Sequence, residues 1–302
     1  MLLITAMAWG SGFAIRKMGA EVIPPMTFNA LRELLGAIFL LPLLMHSLKA
    51  SKYFDKSQNR HGVLEFRRKK AIKGGIYCGA LFTVASMLQS LGLATVSAGK
   101  SGFITSLYVV LTPIVGLLVG NKIKKKSALC IVIALIGFGF LSLGEGLGGI
   151  GVGDVLLLCG AVGFAAHIVT VNMFSDKSNG IIIAVLQMLF LGIVGLAISI
   201  PIEHPEISQF IACIPALVLC AFVTCTIGNT AQIVGQRFTD ATSAALIMGL
   251  ESVFSVVFGA IILGEMMPMR ELFGCLLIFI AVTANQIEFK NLLGHHREEK
   301  DA

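Results

Sequence analysis

Four ionisable side chains lie well inside long apolar stretches of this chain: Arg32, Glu33, His167 and Glu251. A charge in an apolar helix is costly, so such residues face an interior or water and are candidates for function by default. Glu251 lies about halfway along its stretch and is the strongest candidate for proton linkage. A structural ion pair with Arg32 or Lys100 is the alternative. The chemistry indicated is reversible binding of a solute or a proton.

Arg32 and Glu33 are neighbours, so on a helix they point about 100° apart. We expect one of them to line a path through the protein and the other to pair with a neighbour. His167 could take part in a proton path, because imidazole changes charge near neutral pH. A hydrogen-bonded core histidine is the alternative.

Uncharged polar and aromatic residues extend this set of candidates. Each amide could bind a solute or join helices to one another, and each aromatic ring could stack on a solute or simply pack. The pathway candidates among them are Trp9, Gln89, Tyr108, Gln187 and Gln232, with Asn172 and Asn229 as further amides.

The segment Gly151-Val152-Gly153-Asp154 matches the GxGD pattern of intramembrane aspartyl proteases. That chemistry needs two carboxyl groups that share a proton. The other aspartates fall in predicted loops or the tail, so no catalytic residue is expected. The chain also contains no phosphate-binding GxxxxGK[ST] loop, no HExxH and no CxxC. We therefore predict neither enzyme activity nor a cofactor or metal.

The composition places these residues in a membrane. Of 302 residues, 56% are hydrophobic and 13% are charged, whereas soluble domains have about a quarter charged residues. Apolar runs of about 20 residues, each able to cross the bilayer as a helix, recur along the chain. The ten predicted spans are residues 2–18, 26–45, 71–93, 98–120, 127–143, 155–174, 181–200, 211–233, 241–263 and 270–288.

A glycine-rich segment, Gly144 to Asp154, divides the chain into two similar halves. Residues 1–143 form a predicted five-helix repeat with a basic loop at 46–70. Residues 155–288 form a second, and 289–302 a short tail. Because five is odd, the second copy enters the membrane from the opposite side. The sequence thus predicts an all-α membrane protein built of two inverted repeats.

The basic residues predict the orientation, because Lys and Arg in short loops stay on the cytoplasmic side. Seventeen of them fall on the side of the two termini, both of which are therefore predicted to be cytoplasmic. The opposite side keeps only Arg16, Lys17, Lys100 and Arg270, some of them at helix ends from which a side chain can reach the membrane surface. The net charge of +6 is then explained by lipid headgroups, and nucleic acid is not an expected partner.

Several motifs, in their order and spacing, resemble one known family. In the first half they are Trp9-Gly10-Ser11, Pro24-Pro25, Ala30-Leu31-Arg32, and the run Ser97 to Phe103 followed by Leu107-Tyr108-Val109-Val110 and Pro113. In the second half they are Gly153-Asp154, Ala244-Ala245, Leu250-Glu251-Ser252 and Leu263-Gly264-Glu265. Nearly the whole chain is similar to the EamA domains of the drug/metabolite transporter superfamily.

This resemblance implies a ten-helix carrier in the cell membrane that moves a small metabolite, amino acid or drug, often outward. Two positions depart from the family pattern: Ser252 stands where Pro is frequent, and Asn121 where Glu is frequent. Since Pro breaks a helix, its absence removes the usual reason to expect a distorted ninth helix.

We therefore expect a secondary carrier that works by alternating access, with protons as a candidate coupling ion. The expected partners are the bilayer and a small-molecule solute, in a monomer or a homodimer. A membrane scaffold or sensor and a channel are the alternatives. A scaffold would be expected to carry extra soluble modules, and a fixed pore makes less use of inverted repeats.

Overall fold

The protein is helical throughout the part that the computed structural model describes, namely residues 1–58, 61–120, 125–142, 150–175 and 178–286. The α-helices are α1 (Leu2–Ala20), α2 (Pro25–Gln58), α3 (His61–Leu93), α4 (Ala98–Ser106), α5 (Tyr108–Gly116), α6 (Lys125–Ser142), α7 (Val152–Ser175), α8 (Gly180–Glu203), α9 (Ile207–Ala212), α10 (Ile214–Cys220), α11 (Thr230–Gly235), α12 (Ala241–Gly249), α13 (Glu251–Leu263) and α14 (Met269–Gln286). Most of the predicted connecting segment, Asn121 and the tail lie outside the described residues.

Seven helical stretches are long and apolar enough to cross a bilayer: Pro25–Lys49, Glu65–Leu93, Ala98–Val119, Val152–Ser175, Gly180–Glu203, Ile214–Phe238 and Ala241–Leu263. Two shorter apolar helical stretches, Ala128–Gly137 and Leu272–Ala281, lie within α6 and α14. The helix α1 has 19 residues but carries Arg16 and Lys17 near its end. The described residues of all ten predicted spans thus fall on helical segments, and seven of these segments satisfy the length and hydropathy that a span needs.

The basic segment 46–70 was expected to be a loop, and this expectation is wrong. The helix α2 continues to Gln58 and α3 begins at His61, so almost all of the segment is helical. The pattern was misleading because hydropathy reports where the apolar part ends, whereas Lys, Arg, Glu and Gln are good helix formers in water. An ion pair between Glu65 and Lys69, with 2.7 Å between Oε1 and Nζ, lies on the exposed face of α3.

Two segments contain matching breaks. Ser97 caps α4 by accepting a hydrogen bond from the Lys100 N–H, and the helix is interrupted at Leu107 before α5. Asp240 caps α12 through the Ser243 N–H, and the interruption falls at Leu250 before α13.

The second break occurs although Ser252 replaces the frequent proline. The Ser252 hydroxyl donates to the Gly249 carbonyl at 2.8 Å. A side-chain donor of this kind competes with the helical backbone bonds and bends the helix. The ninth predicted span is thus interrupted although serine stands in the place of proline.

A nine-residue π-helix, Ala221–Asn229, continues α10 into α11. Segments of this type are rare and are frequent at functional sites. It packs on α1 and α2, and Gly36 permits the close approach to α2, because a Cβ there would collide with the Cys225 side chain. The π-helix is thus held against the first half of the chain by small residues.

The packing of helices leaves space at the centre of the bundle. The helix α1 packs on α13 and on the π-helix, α3 on α7 and α8, α2 on α8, and α4 on α13. These pairs each join the first half of the chain to the second. The space between them is consequently lined by both halves.

Candidate solute-binding site

A central cavity opens between the two halves, with about 510 Å³ of empty space that includes its part open to solvent. The first half contributes side chains from α1, α2, α3, α4 and α5, and the second half from α7, the π-helix, α11 and α13. Its wall combines aromatic rings, amides, hydroxyls and charges of both signs.

Helical spacing explains which residues reach this space. Trp9, Phe13 and Arg16 of α1 and Phe82, Ser86 and Gln89 of α3 line the cavity. Residues three, four and seven positions apart share one face of a helix. Each helix therefore presents one mixed polar and aromatic face to the cavity.

The structure brings seven of the nine sequence-derived pathway candidates to the wall of this cavity. They are Trp9, Arg32, Gln89, Tyr108, His167, Gln232 and Glu251. Glu33 and Gln187 lie directly behind the wall, where they bind two of the lining residues. Asn229 also lines the cavity, whereas Asn172 donates a hydrogen bond to the Thr239 carbonyl elsewhere.

Arg32 is held by neighbours on several sides. Its Nε and Nη2 donate to Asn29 Oδ1 at 3.0 and 2.6 Å, and its Nη1 donates to Thr224 Oγ1 at 2.9 Å. The same Nη1 lies 3.2 Å from Glu33 Oε1, and Asn229 Nδ2 donates to Glu33 Oε2 at 3.1 Å. Arg32 and Glu33 thus form a buried ion pair with most of its hydrogen-bonding capacity satisfied.

His167 has one side-chain hydrogen-bond partner. Its Nε2 lies 3.0 Å from Gln187 Oε1, and its ring packs on Phe82 with 5.0 Å between centroids. The contact with Gln187 explains why that amide is buried behind the wall rather than on it. His167 is therefore fixed in orientation while one edge faces the cavity.

Glu251 differs from Glu33 in having no such partner. It is 2% exposed, and its Oε1 accepts no hydrogen bond from the protein. Both amide atoms of Gln232 are also buried without a partner among the described residues, and the buried Tyr108 hydroxyl has Glu251 as its polar neighbour. Neither Arg32 nor Lys100, the cations suggested by the sequence, pairs with Glu251, since their ion-pair partners are Glu33 and Asp154. Buried polar groups without partners are uncommon and costly, so this side of the cavity is prepared for a ligand or for water.

Arg16 is a correction to the sequence analysis, which placed it at the membrane surface. It is 8% exposed and lines the cavity, where it donates hydrogen bonds to Gln89 Oε1 and Ser90 Oγ. Its spacing of seven residues from Trp9 is the signal that could have identified it, because two helical turns place both on one face.

One end of the bundle is closed by contacts between the two halves. Lys17 Nζ lies 2.6 Å from Glu265 Oε1, and the Ala98 N–H donates to Glu265 Oε2 at 2.7 Å. Lys100 Nζ lies 3.0 Å from Asp154 Oδ1. We call these five residues the clasp.

Asp154, the aspartate of the protease-like motif, is thus paired with a lysine and has no carboxyl partner in the clasp. Lys100 does not extend to the membrane surface but reaches α7. A third carboxylate, Glu203, caps α2 from the end of α8 by accepting from Met26 and Thr27. This end of the bundle is therefore closed by charged groups and helix caps.

Comparison with known proteins places the chain in a family. Residues 1–143 and 151–285 match the EamA-like transporter family. An uncharacterized transporter from Archaeoglobus fulgidus is 30% identical over 283 residues, which cover 93% of this chain and 83% of the relative. A solved crystal structure of a protein, at 17% identity, superimposes with a TM-score of 0.63 over 96% of this chain and 97% of its own. That likeness concerns the fold alone.

The chain belongs to the EamA-like transporter family and hence to the drug/metabolite transporter superfamily. It is a multi-pass membrane transporter, embedded in a lipid bilayer and acting on a small-molecule substrate. These comparisons point to a transporter rather than to an enzyme.

Proposed function

We propose that the protein is a secondary-active carrier whose solute binds in the central cavity. The observation that carries this proposal is a central cavity with walls from both halves of the chain, whose lining includes polar groups without hydrogen-bond partners among the described residues. Carriers of several folds bind their solutes at the interface of two repeats near the bilayer midplane. The solute is a small metabolite, an amino acid or a drug, and the resemblance to the family favours export.

The two halves act as inverted five-helix repeats, 1–143 and 155–288, that cross the membrane ten times. Matching helix caps, helix breaks and left-handed glycines in the two halves support this arrangement. The packing supports it as well, because α1 lies on α13 while α7 lies on α4 and α5. Such a pair can exchange conformations, which gives alternating access.

The clasp closes the outer face in the state described here. The protein lies in the plasma membrane, and both of its termini lie in the cytoplasm. The excess of basic residues on the opposite face supports this orientation. Lys17 and Ala98 of the first repeat contact Glu265 of the second, and Lys100 contacts Asp154 at the start of α7. Rocking of the repeats must break these contacts.

Protons couple to transport through Glu251. Its carboxyl has no ion-pair partner among the described residues, and the hydroxyl of Tyr108 lies beside it. A proton and a solute can therefore compete for one group. His167 and the Arg32–Glu33 pair shape the surrounding wall and complete the pathway.

The test is efflux of a pooled metabolite mixture from proteoliposomes that contain the purified protein, read by mass spectrometry with and without a pH gradient. We expect a few species to leave faster than from empty liposomes, and their rate to depend on the gradient. In Glu251→Gln the gradient dependence should disappear. An exposed-site control, Lys73→Gln, should behave as the wild type. Transport that ignores the gradient in wild type and Glu251→Gln alike would refute proton coupling, and release of no species at all would refute the carrier.

A further inference from the structure

Arg16 is the cation of the cavity that retains free donors. A guanidinium carries five N–H groups, and the hydrogen bonds of Arg16 to Gln89 and Ser90 use two of them. Both partners are neutral, and Arg16 forms no ion pair with any described carboxylate. Arg32, by contrast, uses all three of its nitrogens on Asn29, Thr224 and Glu33.

Glu251 is the matching anion. It lines the same cavity beside Tyr108, and it interacts with Arg16 only at longer range than an ion pair. Two groups that can carry opposite charges are therefore buried in one small space without direct contact. Burial disfavours the charged form of each, and a ligand group of opposite charge offsets that cost.

The space between these charges has a definite character. Trp9, Phe82 and Phe164 give it aromatic walls, with Phe82 and Phe164 packed edge to face at 6.0 Å. The Gln232 amide, also in the lining, offers hydrogen-bonding groups that no described residue uses. A ligand that fits has a positive group at Glu251, a negative group at Arg16 and an apolar body against the rings.

We propose that Arg16 is a specificity-determining residue, which binds the anionic group of a zwitterionic solute while Glu251 binds its cationic group. This inference rests on the proposed carrier function and names the chemical class of its solute. Arg16 binds a carboxylate better than lysine would, because a planar guanidinium matches the two oxygens. Arg32 acts behind it as a structural cation.

The chain offers a direct reporter of binding, since its one tryptophan is Trp9 in the cavity wall. Fluorescence of Trp9 in detergent is titrated with matched sets of probes. One set is L-leucine, 3-methylbutylamine and 4-methylpentanoate, and corresponding sets are built on alanine and phenylalanine. Within a set, the apolar body stays nearly constant while one charge at a time is removed.

We expect the zwitterion of at least one set to bind the wild type about tenfold more tightly than either singly charged probe, the effect of one charged hydrogen bond. In Arg16→Gln the ratio of zwitterion to amine affinity should fall to about one, while the zwitterion should still bind more tightly than the carboxylate. In Glu251→Gln the zwitterion should lose its preference over the carboxylate instead. Arg16→Lys keeps the charge and should restore part of the preference over the amine. Lys73→Gln removes an exposed cation on α3 and should leave both preferences unchanged.

Equal binding of zwitterion and amine to the wild type would overturn the inference. An unchanged preference in a folded Arg16→Gln protein would overturn it too, as would failure of every zwitterion to bind. Because binding is read without transport, these failures are distinct from failure of the carrier. Efflux of other metabolites from proteoliposomes, with no zwitterion bound, would leave the carrier standing and reject only this solute class.

Discussion

The segments 98–119 and 241–263 have nearly the same backbone and different chemistry. Each begins at a side-chain cap, Ser97 or Asp240, and each is interrupted ten residues later, at Leu107 or Leu250. Each ends at a glycine with a left-handed backbone, Gly120 with φ of 88° and Gly264 with φ of 67°.

The two segments differ in the residue that follows the break. It is Tyr108 at the start of α5 and Glu251 at the start of α13, and both line the central cavity. A repeated backbone thus brings two unlike groups together, a phenol from one half and a carboxyl from the other. The repeat determines where a functional group is placed, and the local sequence determines which group it is.

The largest expected effect comes from substituting the two residues at this matched position. Glu251→Gln should lower transport by about 100-fold, because a charged hydrogen-bonding group is lost from a buried site. Tyr108→Phe removes a neutral hydroxyl and should lower transport by no more than about tenfold. Initial efflux rates in proteoliposomes, corrected for protein content, measure both.

Equal losses of transport in these two variants would contradict the proposed difference in chemistry between the two segments. Thermal unfolding of both variants serves as the control. A loss of folded protein that matches the loss of transport would assign the effect to structure instead.

The two glycines test whether the segments end alike. An L-residue in the left-handed region costs about 1–2 kcal/mol, and nothing lies within 4 Å of a Cβ built at either glycine. Gly120→Ala and Gly264→Ala should therefore each lower the free energy of unfolding by about this amount, and by similar amounts. Gly151 also borders open space but has no positive φ, so Gly151→Ala is the matched control and should not destabilise. Unequal effects, read by denaturation in detergent, would contradict the equivalence of the segment ends.

The smallest expected effect is a difference between the two helix caps in how their contribution to stability depends on pH. Removing either one, as in Ser97→Ala or Asp240→Ala, should cost about 1 kcal/mol at neutral pH. Partial burial acts to raise the pKa of Asp240, but hydrogen bonds from the Ser243 hydroxyl and from the backbone N–H groups of Ser243 and Thr242 hold it below its ordinary value.

A carboxyl whose pKa is lowered on folding stabilises the protein above its unfolded pKa, and that contribution is lost as the pH falls through the folded value. The stability difference between wild type and Asp240→Ala should therefore shrink between neutral pH and about pH 3. The difference for Ser97→Ala should stay constant, because a hydroxyl does not titrate there. Melting temperatures across this pH range decide the matter, and parallel curves for the two variants would contradict the account.

Sequence patterns anticipated most of the helices, because apolar runs and polar breaks follow directly from the cost of burying charge. They also pointed to Glu251 and Tyr108, since polar groups in apolar runs are few. Arg16 was misplaced because it precedes Lys17 near the end of a short run, and hydropathy does not tell which way a side chain turns. Its neighbour Lys17 does lie at that end, in the clasp.

Other features depend on packing that no local pattern reports. The π-helix Ala221–Asn229 has an ordinary apolar composition, and its widened turns fit against Gly12 and Gly36 in other parts of the chain. The break before Glu251 is present although serine stands there in the place of the frequent proline. The pairing of Lys100 with Asp154 joins residues 54 positions apart, and only the folded chain brings them together.

The central claim is that the two halves open the cavity alternately to each side. Its most direct test is quenching of Trp9 fluorescence by iodide, a membrane-impermeant ion, added to either side of vesicles with oriented protein. The account predicts quenching from both sides in the wild type. Glu265→Gln, which weakens the clasp, should increase quenching from the clasp side and decrease it from the other. An increase on the clasp side with no decrease on the other would indicate a fixed pore, and absence of quenching from both sides a sealed cavity; either result would contradict alternating access.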